Sequence, residues 1–195
     1  MLQAEKNHII SLFPYIEKIN DIDMRNKVIQ TWHNAWKCGN FHRIEDVHQL
    51  EPARDLIVYS NVDHTNQVCR VAEEMSIALS RSLGLRVEMD QLLAGAILHD
   101  VDKIVLFDSR TGGYTDMGRR FVHAMMGATM ALTQGLPHEV AHMIMAHSFK
   151  LSSIAPASIE ALILRQADEL IAHAVYLANG LNLDLVITQS FSRIA

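Results

Sequence analysis

A stripe of apolar residues at helical spacing constrains the fold more than any other feature of this sequence. Between residues 63 and 83 the apolar side chains recur at intervals of three and four positions, which places them on one face of a helix. Gly84 follows this stripe, at a position where helices commonly end. Because the chain has only 9 glycines and 4 prolines in 195 residues, its composition also favours helices over a turn-rich β fold. We therefore predict an all-α protein.

Similar patterns extend this prediction along the chain. Helices are predicted over residues 2–13, 25–37, 63–83, 121–132, 137–147 and 156–178, and the apolar run 92–97 predicts another that ends at a His-Asp pair. Residues 107–119 lack periodicity and contain three glycines, as lids and binding loops often do. No linker composition marks a boundary. We expect a helical bundle at residues 61–195, with residues 1–60 packed on it as a helical N-terminal extension.

Candidate metal ligands stand on the apolar faces of these helices. His64 lies one turn before Val68 on the apolar stripe, and Asp168 groups with the apolar residues of the last helix. A buried carboxylate is costly unless it is paired or bound to a metal. Imidazole with carboxylate suits Fe, Mn, Co, Ni or Zn, whereas a set without cysteine argues against a structural zinc site. The candidate ligands are His64, His99, Asp100, His123, His147 and Asp168.

Three short motifs contain most of these ligands. They read Asp63-His64-Thr65, Leu98-His99-Asp100-Val101-Asp102-Lys103 and Gln166-Ala167-Asp168. This order resembles the HD-domain superfamily of metal-dependent phosphohydrolases, over about residues 60–180. The resemblance implies an HD-domain helical bundle in which His64, His99, Asp100 and Asp168 hold a first metal. His123 and His147 occupy the places that mark the two-metal branch, in which Asp100 bridges the two ions.

Two positions depart from the family pattern. Many members have His-Asp-x-Gly-Lys, whereas Asp102 stands in place of the glycine here. The double histidine of the cyclic-dinucleotide phosphodiesterase branch is here His147-Ser148, so the sequence argues against that branch.

The resemblance implies that a metal-activated water hydrolyses a phosphate ester of a small metabolite or nucleotide. Asp100 would orient that water, and Lys103, one turn further on, would act in catalysis and neutralise a phosphate oxygen. Arg119, Arg120 and Lys150 are further candidates for substrate binding.

Two other hypotheses remain open at this point. Myo-inositol oxygenase and the phosphonate-cleaving oxygenases share this order of ligands, so a mixed-valent di-iron oxygenase is the alternative. The gap of about twenty residues between His147 and Asp168 is more similar to the small nucleotide hydrolases of the superfamily. A regulatory module that binds a ligand without turnover is the third hypothesis, although every ligand position is retained.

Charge and hydropathy restrict the partners. The formal net charge of −5, without a basic cluster, argues against a nucleic-acid polymer as partner and leaves a small phosphorylated substrate. No apolar run approaches the length of a membrane span, and the N-terminus lacks the order of a signal peptide. We therefore expect a cytoplasmic protein that does not enter a membrane. The oligomeric state stays open, with a homodimer through the N-terminal helices as one option.

Overall fold

The computed structural model describes residues 1–49, 55, 57–148 and 154–181, and within them the fold is helical. The predicted all-α class is therefore confirmed. The described residues contain no β-strand, only two isolated bridges, His48 with Ser60 and Phe107 with Tyr114. The helices are α1 (Gln3–Leu12), α2 (Ile22–Cys38), α3 (Asn61–Leu83), α4 (Met89–Leu98), α5 (Lys103–Leu106), α6 (Asp116–Arg120), α7 (Met125–Thr133), α8 (His138–Ala146) and α9 (Ile159–Ala178).

Helix α4 lies at the centre of the bundle. It contacts α2, α3, α8 and α9, and every residue from Leu92 to Leu98 is buried. The two long helices α3 and α9 pack along each other, and α7 packs on α8. This arrangement directs the end of α4, where the His-Asp pair lies, towards the interior of the bundle. None of the described helices combines the length and the apolar composition needed to cross a membrane.

Side-chain caps and a glycine set the ends of the long helices. Ser60 begins α3 by accepting a hydrogen bond from the Asp63 backbone N–H, and Gly84 ends it with a φ of 67°. Ser158 begins α9 in the same way by accepting from the Ala161 N–H. The sequence predicted that this helix begins at Pro156. The structure begins it at Ile159, because the Ser158 hydroxyl supplies the cap.

The N-terminal helices share their hydrophobic core with the rest of the chain. Trp32 of α2 is fully buried, stacks on Phe13, and donates its indole N–H to the Ile97 carbonyl of α4 at 3.0 Å. Gly39 lies so close to α5 that a Cβ there would be 2.4 Å from the Ile104 carbonyl oxygen. Residues 1–49 therefore pack directly against the segment around the His-Asp pair. The domain boundary at residue 60 stays a prediction.

The sequence predicted one helix over residues 121–132, and the structure differs. A short helix, α6, ends at Arg120, residues 121–124 are not helical, and α7 begins at Met125. Ala124 has a φ of 72°, which no residue of an α-helix adopts. The Asp102 carboxylate accepts hydrogen bonds from the Ala124 and Gly127 N–H groups, and these hold the turn. His123 therefore lies in a turn rather than on a helix.

Candidate metal centre

The end of α4 meets α3 and α9 at a buried cluster of ligand atoms. His64 lies in the first turn of α3, His99 follows α4 directly, and Asp168 lies near the middle of α9. His64 Nε2 is 2.9 Å from Asp168 Oδ1 and 3.2 Å from His99 Nε2. Asp100 Oδ2 lies 3.4 Å from His99 Nε2 and 3.6 Å from His64 Nε2. We call these atoms the first half of the cluster.

The other oxygen of Asp100 faces a second half, formed by His123 and His147. His123 Nε2 lies 3.1 Å from Asp100 Oδ1, and His147 Nε2 lies 3.8 Å from the same oxygen. The rings of His123 and His147 meet edge-on with their centroids 5.1 Å apart. The structure thus brings together all six side chains that the sequence predicted as ligands.

Asp100 belongs to both halves. The ligand atoms of His64, His99 and Asp100 lie within 4.8 Å of one another, and so do those of Asp100, His123 and His147. Groups of this size and composition could each hold a metal ion. Because one carboxylate serves both groups through its two oxygens, two ions could sit side by side.

Backbone carbonyls hold two of the four imidazole rings. His99 Nδ1 donates to the Ala96 carbonyl at 2.7 Å, and His147 Nδ1 donates to the Ile144 carbonyl at 2.6 Å. In each case the acceptor lies three residues earlier, in the last turn of the helix that the histidine follows. A proton placed on Nδ1 leaves the lone pair on Nε2, which points into the cluster.

Side chains hold the other two rings. His64 Nδ1 lies 3.2 Å from the Tyr59 hydroxyl, which donates its own proton to Gln67 Oε1 at 2.9 Å and therefore accepts from Nδ1–H. His123 Nδ1 donates to Asp102 Oδ1 at 2.9 Å. All four imidazoles thus direct Nε2 towards the cluster and satisfy Nδ1 elsewhere, which is the usual arrangement of metal-binding histidines.

The imidazoles differ in charge state. Burial lowers the pKa of His147 to about 4 and also lowers the pKa of His64, so both rings are neutral at pH 7. Burial also opposes the charge on His123, but the carboxylates of Asp102 and Asp100 outweigh it and raise the pKa of His123 to about 10. Without an ion, His123 is therefore an imidazolium between two carboxylates.

Lys103 neutralises part of the charge on Asp100. Burial alone would raise the pKa of the Asp100 carboxyl, but the charges of Lys103 and His99 lower it well below its usual range. Lys103 Nζ lies 2.6 Å from Asp100 Oδ2 and 2.6 Å from the Gln49 carbonyl oxygen, and the residue is buried. The ammonium therefore contacts the central carboxylate directly. Its predicted part in substrate binding stays a prediction.

Two of the other predicted substrate-binding cations, Arg119 and Arg120, lie on the surface helix α6. Arg119 donates to Asp116 Oδ1 and to the Tyr114 carbonyl, both at 2.7 Å. Arg120 lies 3.8 Å from the other oxygen of Asp116. Both guanidinium groups are exposed and point to a surface carboxylate in this structure. Lys150 lies outside the described residues.

Among the described residues of the cluster, the two at its ends reach solvent. The side chains of His123 and Asp168 are 15% and 18% exposed, whereas His64 and His99 are fully buried. A substrate would therefore approach the second half along His123 or the first half along Asp168.

The residues that orient the candidate ligands were not predicted from the sequence. Asp102 was visible as an acidic residue in place of the usual glycine, and that substitution was the signal for its role beside His123. Tyr59 lies in an irregular segment, where periodicity indicates nothing about the direction of its hydroxyl. One further histidine, His142 of α8, lies outside the cluster, where it accepts a hydrogen bond from the Ala157 N–H at 2.9 Å.

Comparisons with known proteins agree with this geometry. Residues 61–173 match the family model of the HD domain. A curated relative, the dihydroneopterin 2′,3′-cyclic phosphate phosphodiesterase of Methanocaldococcus jannaschii, is 28% identical over 166 residues. The aligned region is 81% of this chain and 66% of the relative, so the chain spans just under two thirds of the relative's length. No solved structure matches the chain.

These findings confirm the HD-domain resemblance that the sequence predicted. An HD domain implies binding of a divalent metal, and the donor set of imidazoles and carboxylates fits such an ion. The family and the name of the relative both support a metal-dependent phosphohydrolase. Nothing in them favours the oxygenase alternative.

Proposed function

The chain belongs to the HD-domain family, and on that premise we propose that it is a phosphohydrolase that cleaves a phosphate ester of a small metabolite or nucleotide at the cluster around Asp100. The observation that carries the proposal is the position of Asp100. One of its oxygens faces His99 and His64, and the other faces His123 and His147. A carboxylate shared in this way is suited to two adjacent divalent ions.

In this proposal His64, His99, Asp100 and Asp168 would hold a first ion, and Asp100, His123 and His147 would hold a second. The carboxylates of Asp100, Asp102 and Asp168 lie at the cluster, whereas Lys103 and, before an ion binds, His123 supply positive charge. The remaining negative charge favours binding of divalent cations. Iron, manganese, cobalt, nickel and zinc all accept such ligands.

The chemistry divides between the ions and the side chains. Bound divalent ions lower the pKa of water towards about 7 and polarise a phosphoryl oxygen. Asp100, held in place by Lys103, orients the attacking water through its carboxylate. The exposed edges of His123 and Asp168 mark where the phosphate group enters. Burial of the remaining ligands excludes bulk water, which strengthens the electrostatic stabilisation of the phosphoryl group.

The name of the relative directs the choice of first substrate. That protein is named for hydrolysis of a 2′,3′-cyclic phosphate, which is a small phosphodiester. We propose that a small cyclic phosphodiester is also within the range of this chain, together with nucleotides and sugar phosphates.

The test is a metal analysis followed by a screen for product release. Protein purified without oxygen is assayed for bound metals, and is then supplied with manganese, cobalt, nickel, iron or zinc. Each form is incubated with 2′,3′-cyclic phosphates, nucleotides and sugar phosphates. We expect hydrolysis by at least one metal form, and a loss of more than about a hundredfold in His99→Ala and Asp100→Ala.

His142→Ala is the matched control, because it removes a histidine from the helix that precedes His147 without touching the cluster. It should keep its activity. The proposal is wrong if no metal form hydrolyses any phosphate ester, or if the Asp100→Ala protein remains active. A mixed-valent iron signal in EPR with consumption of oxygen would establish the oxygenase instead.

A cytoplasmic location and a homodimer through the N-terminal helices stay predictions from the sequence. Light scattering on the same preparation checks the second of these.

A further inference from the structure

Asp102 lies outside the proposed ligand set, yet it is fully buried beside it. Its Oδ1 accepts the hydrogen bond from His123 Nδ1 at 2.9 Å. Its Oδ2 accepts from the Ala124 N–H at 2.9 Å and from the Gly127 N–H at 3.3 Å. A buried carboxylate is costly unless its oxygens are satisfied, and here every one of these donors comes from a single segment, residues 123–127.

This segment needs support from outside itself. His123 lies in a turn, and Ala124 follows it with a φ of 72° and a ψ of −40°, a conformation that side chains beyond glycine rarely adopt. The three other histidines of the cluster lie in a helix or directly at a helix end. A helix fixes the positions of the three other histidines. At His123, Asp102 does so instead, because its carboxylate accepts from the ring and from the backbone N–H groups of Ala124 and Gly127.

The direction of the ring follows from that contact. With Nδ1 held on Asp102, the opposite nitrogen, Nε2, lies 3.1 Å from Asp100 Oδ1. Gly127 packs closely on α8, where a Cβ would lie 3.2 Å from a methyl group of Ile144, and a Cβ there would be in ordinary contact with Asp102 Cγ at 3.6 Å. A carboxylate acceptor also makes the imidazole a more basic ligand than a carbonyl acceptor does.

From this geometry we infer that Asp102 is a positioning residue that fixes the tautomer and direction of His123 and thereby determines the affinity of the second ion. The inference rests on the proposed function, because it assumes the two ion sites. It concerns Asp102, which stands where many family members have glycine.

The test measures ion binding directly, with Co²⁺ as the probe. Metal-free wild type and Asp102→Asn are titrated with Co²⁺, and the bound ions are counted by elemental analysis and by visible absorption. In Asp102→Asn one acceptor oxygen becomes an amide NH₂, which cannot accept from the donors of the turn. We expect the first ion to bind as in wild type, and the dissociation constant of the second to rise about 10- to 100-fold.

Asp108→Asn is the matched control. Asp108 also accepts hydrogen bonds from backbone N–H groups, those of Arg110 and Thr111, in the loop after α5, and it contacts no histidine of the cluster. It should bind both ions with wild-type affinity. A double-mutant cycle tests whether Asp102 acts on ion affinity through His123 or by a general effect on the fold. If it acts through His123, adding Asp102→Asn to His123→Ala should leave Co²⁺ binding unaltered.

A measurement on wild type keeps the inference testable if Asp102→Asn does not fold. In the zinc-loaded protein labelled with ¹⁵N-histidine, His123 should carry its proton on Nδ1 and show slow exchange of that proton with solvent. A proton on Nε2, or a freely exchanging Nδ1 proton, would overturn the inference. So would an Asp102→Asn protein that binds the second ion as tightly as wild type.

The two proposals fail in different ways. If the protein binds two ions with the expected dependence on Asp102 but hydrolyses no phosphate ester, the proposed function is wrong and the positioning role stands. If hydrolysis occurs and Asp102→Asn leaves the affinity for the second ion unchanged, the positioning role is wrong and the proposed function stands.

Discussion

His64 and His123 reach the same cluster from two very different surroundings. His64 lies in the first turn of a 23-residue helix, is fully buried, and donates Nδ1–H to a neutral tyrosine hydroxyl. His123 lies in a turn, is 15% exposed, and donates to the buried carboxylate of Asp102. Burial lowers the pKa of the first, whereas two carboxylates raise the pKa of the second to about 10. The comparison teaches that the balance between burial and the neighbouring carboxylates decides whether an imidazole is neutral before an ion arrives.

The largest expected effect is on the free energy of unfolding of the metal-free protein, in which removal of His123 and removal of His64 should differ. His123→Ala removes an imidazolium from between Asp100 and Asp102, and loss of one partner of a buried ion pair should lower the free energy of unfolding by about 3 kcal/mol at pH 6. Because the folded pKa is raised, this contribution is complete below the usual value of 6.5 and is lost as the pH rises towards about 10. Urea unfolding of wild type and variant from pH 6 to 10 measures the difference.

His64→Ala is the control for that series. His64 is neutral in the folded protein but takes up a proton near pH 6.5 in the unfolded chain, so the effect of its removal should change below pH 7 and stay constant from pH 8 to 10. A His123→Ala effect that does not shrink with rising pH would contradict the comparison.

The second prediction concerns ion binding and pH. The second ion must displace the proton from His123 Nε2, so its apparent affinity should rise about tenfold for each pH unit between pH 7 and 9. His147, whose pKa is about 4, should add nothing to this slope because its ring is already neutral. Competition with a chelator at a series of pH values gives the slope, and a flat profile would show that His123 is not the titrating group.

The third prediction concerns the neutral Tyr59 hydroxyl that accepts a hydrogen bond from His64. Tyr59→Phe removes the acceptor of His64 Nδ1–H and leaves that buried donor unsatisfied. We expect a loss of about 1 kcal/mol in the free energy of unfolding and about a tenfold loss in affinity for the first ion. Tyr15→Phe, which changes a tyrosine packed near Lys18 and away from the cluster, should leave ion affinity unchanged. Equal effects of the two substitutions would refute a specific role for Tyr59.

The smallest effect is expected at Ala124. Glycine adopts a φ of 72° without the strain of a side chain, so Ala124→Gly should raise the free energy of unfolding by about 0.5 kcal/mol, after the greater freedom of glycine in the unfolded chain is subtracted. The same change in the middle of α7, Ala128→Gly, should lower it by about 1 kcal/mol. Thermal unfolding compares them, and destabilisation by both would mean that the turn at Ala124 is not strained.

The positions of the ligands could be predicted because most of them follow from helical periodicity. His64 and Asp168 fall on apolar stripes that local spacing determines, and the His-Asp pair follows an uninterrupted apolar run. The C-terminal end of α3 could also be predicted, since Gly84 adopts the left-handed conformation that commonly ends a helix. In these segments local preference and tertiary packing agree.

The turn at His123 could not be predicted because a distant residue overrides local preference there. Residues 121–132 have the composition of a helix. The Asp102 carboxylate, however, accepts hydrogen bonds from the His123 ring and from two backbone N–H groups of this segment, and these bonds hold a turn instead. Lys103 illustrates the same limit. Its spacing from Asp100 was visible in the sequence, whereas its second contact, the Gln49 carbonyl, depends on how residues 1–49 pack on the bundle.

The hydrogen bond from Trp32 to the Ile97 carbonyl makes the protein its own optical reporter. Ile97 lies two positions before His99, and the indole is fully buried against Phe13. Any shift of the end of α4 changes the polarity around that indole and therefore its fluorescence emission. We therefore expect loading or stripping of ions at the His-Asp pair to change the tryptophan emission of unlabelled protein, to which Trp32 and Trp36 both contribute.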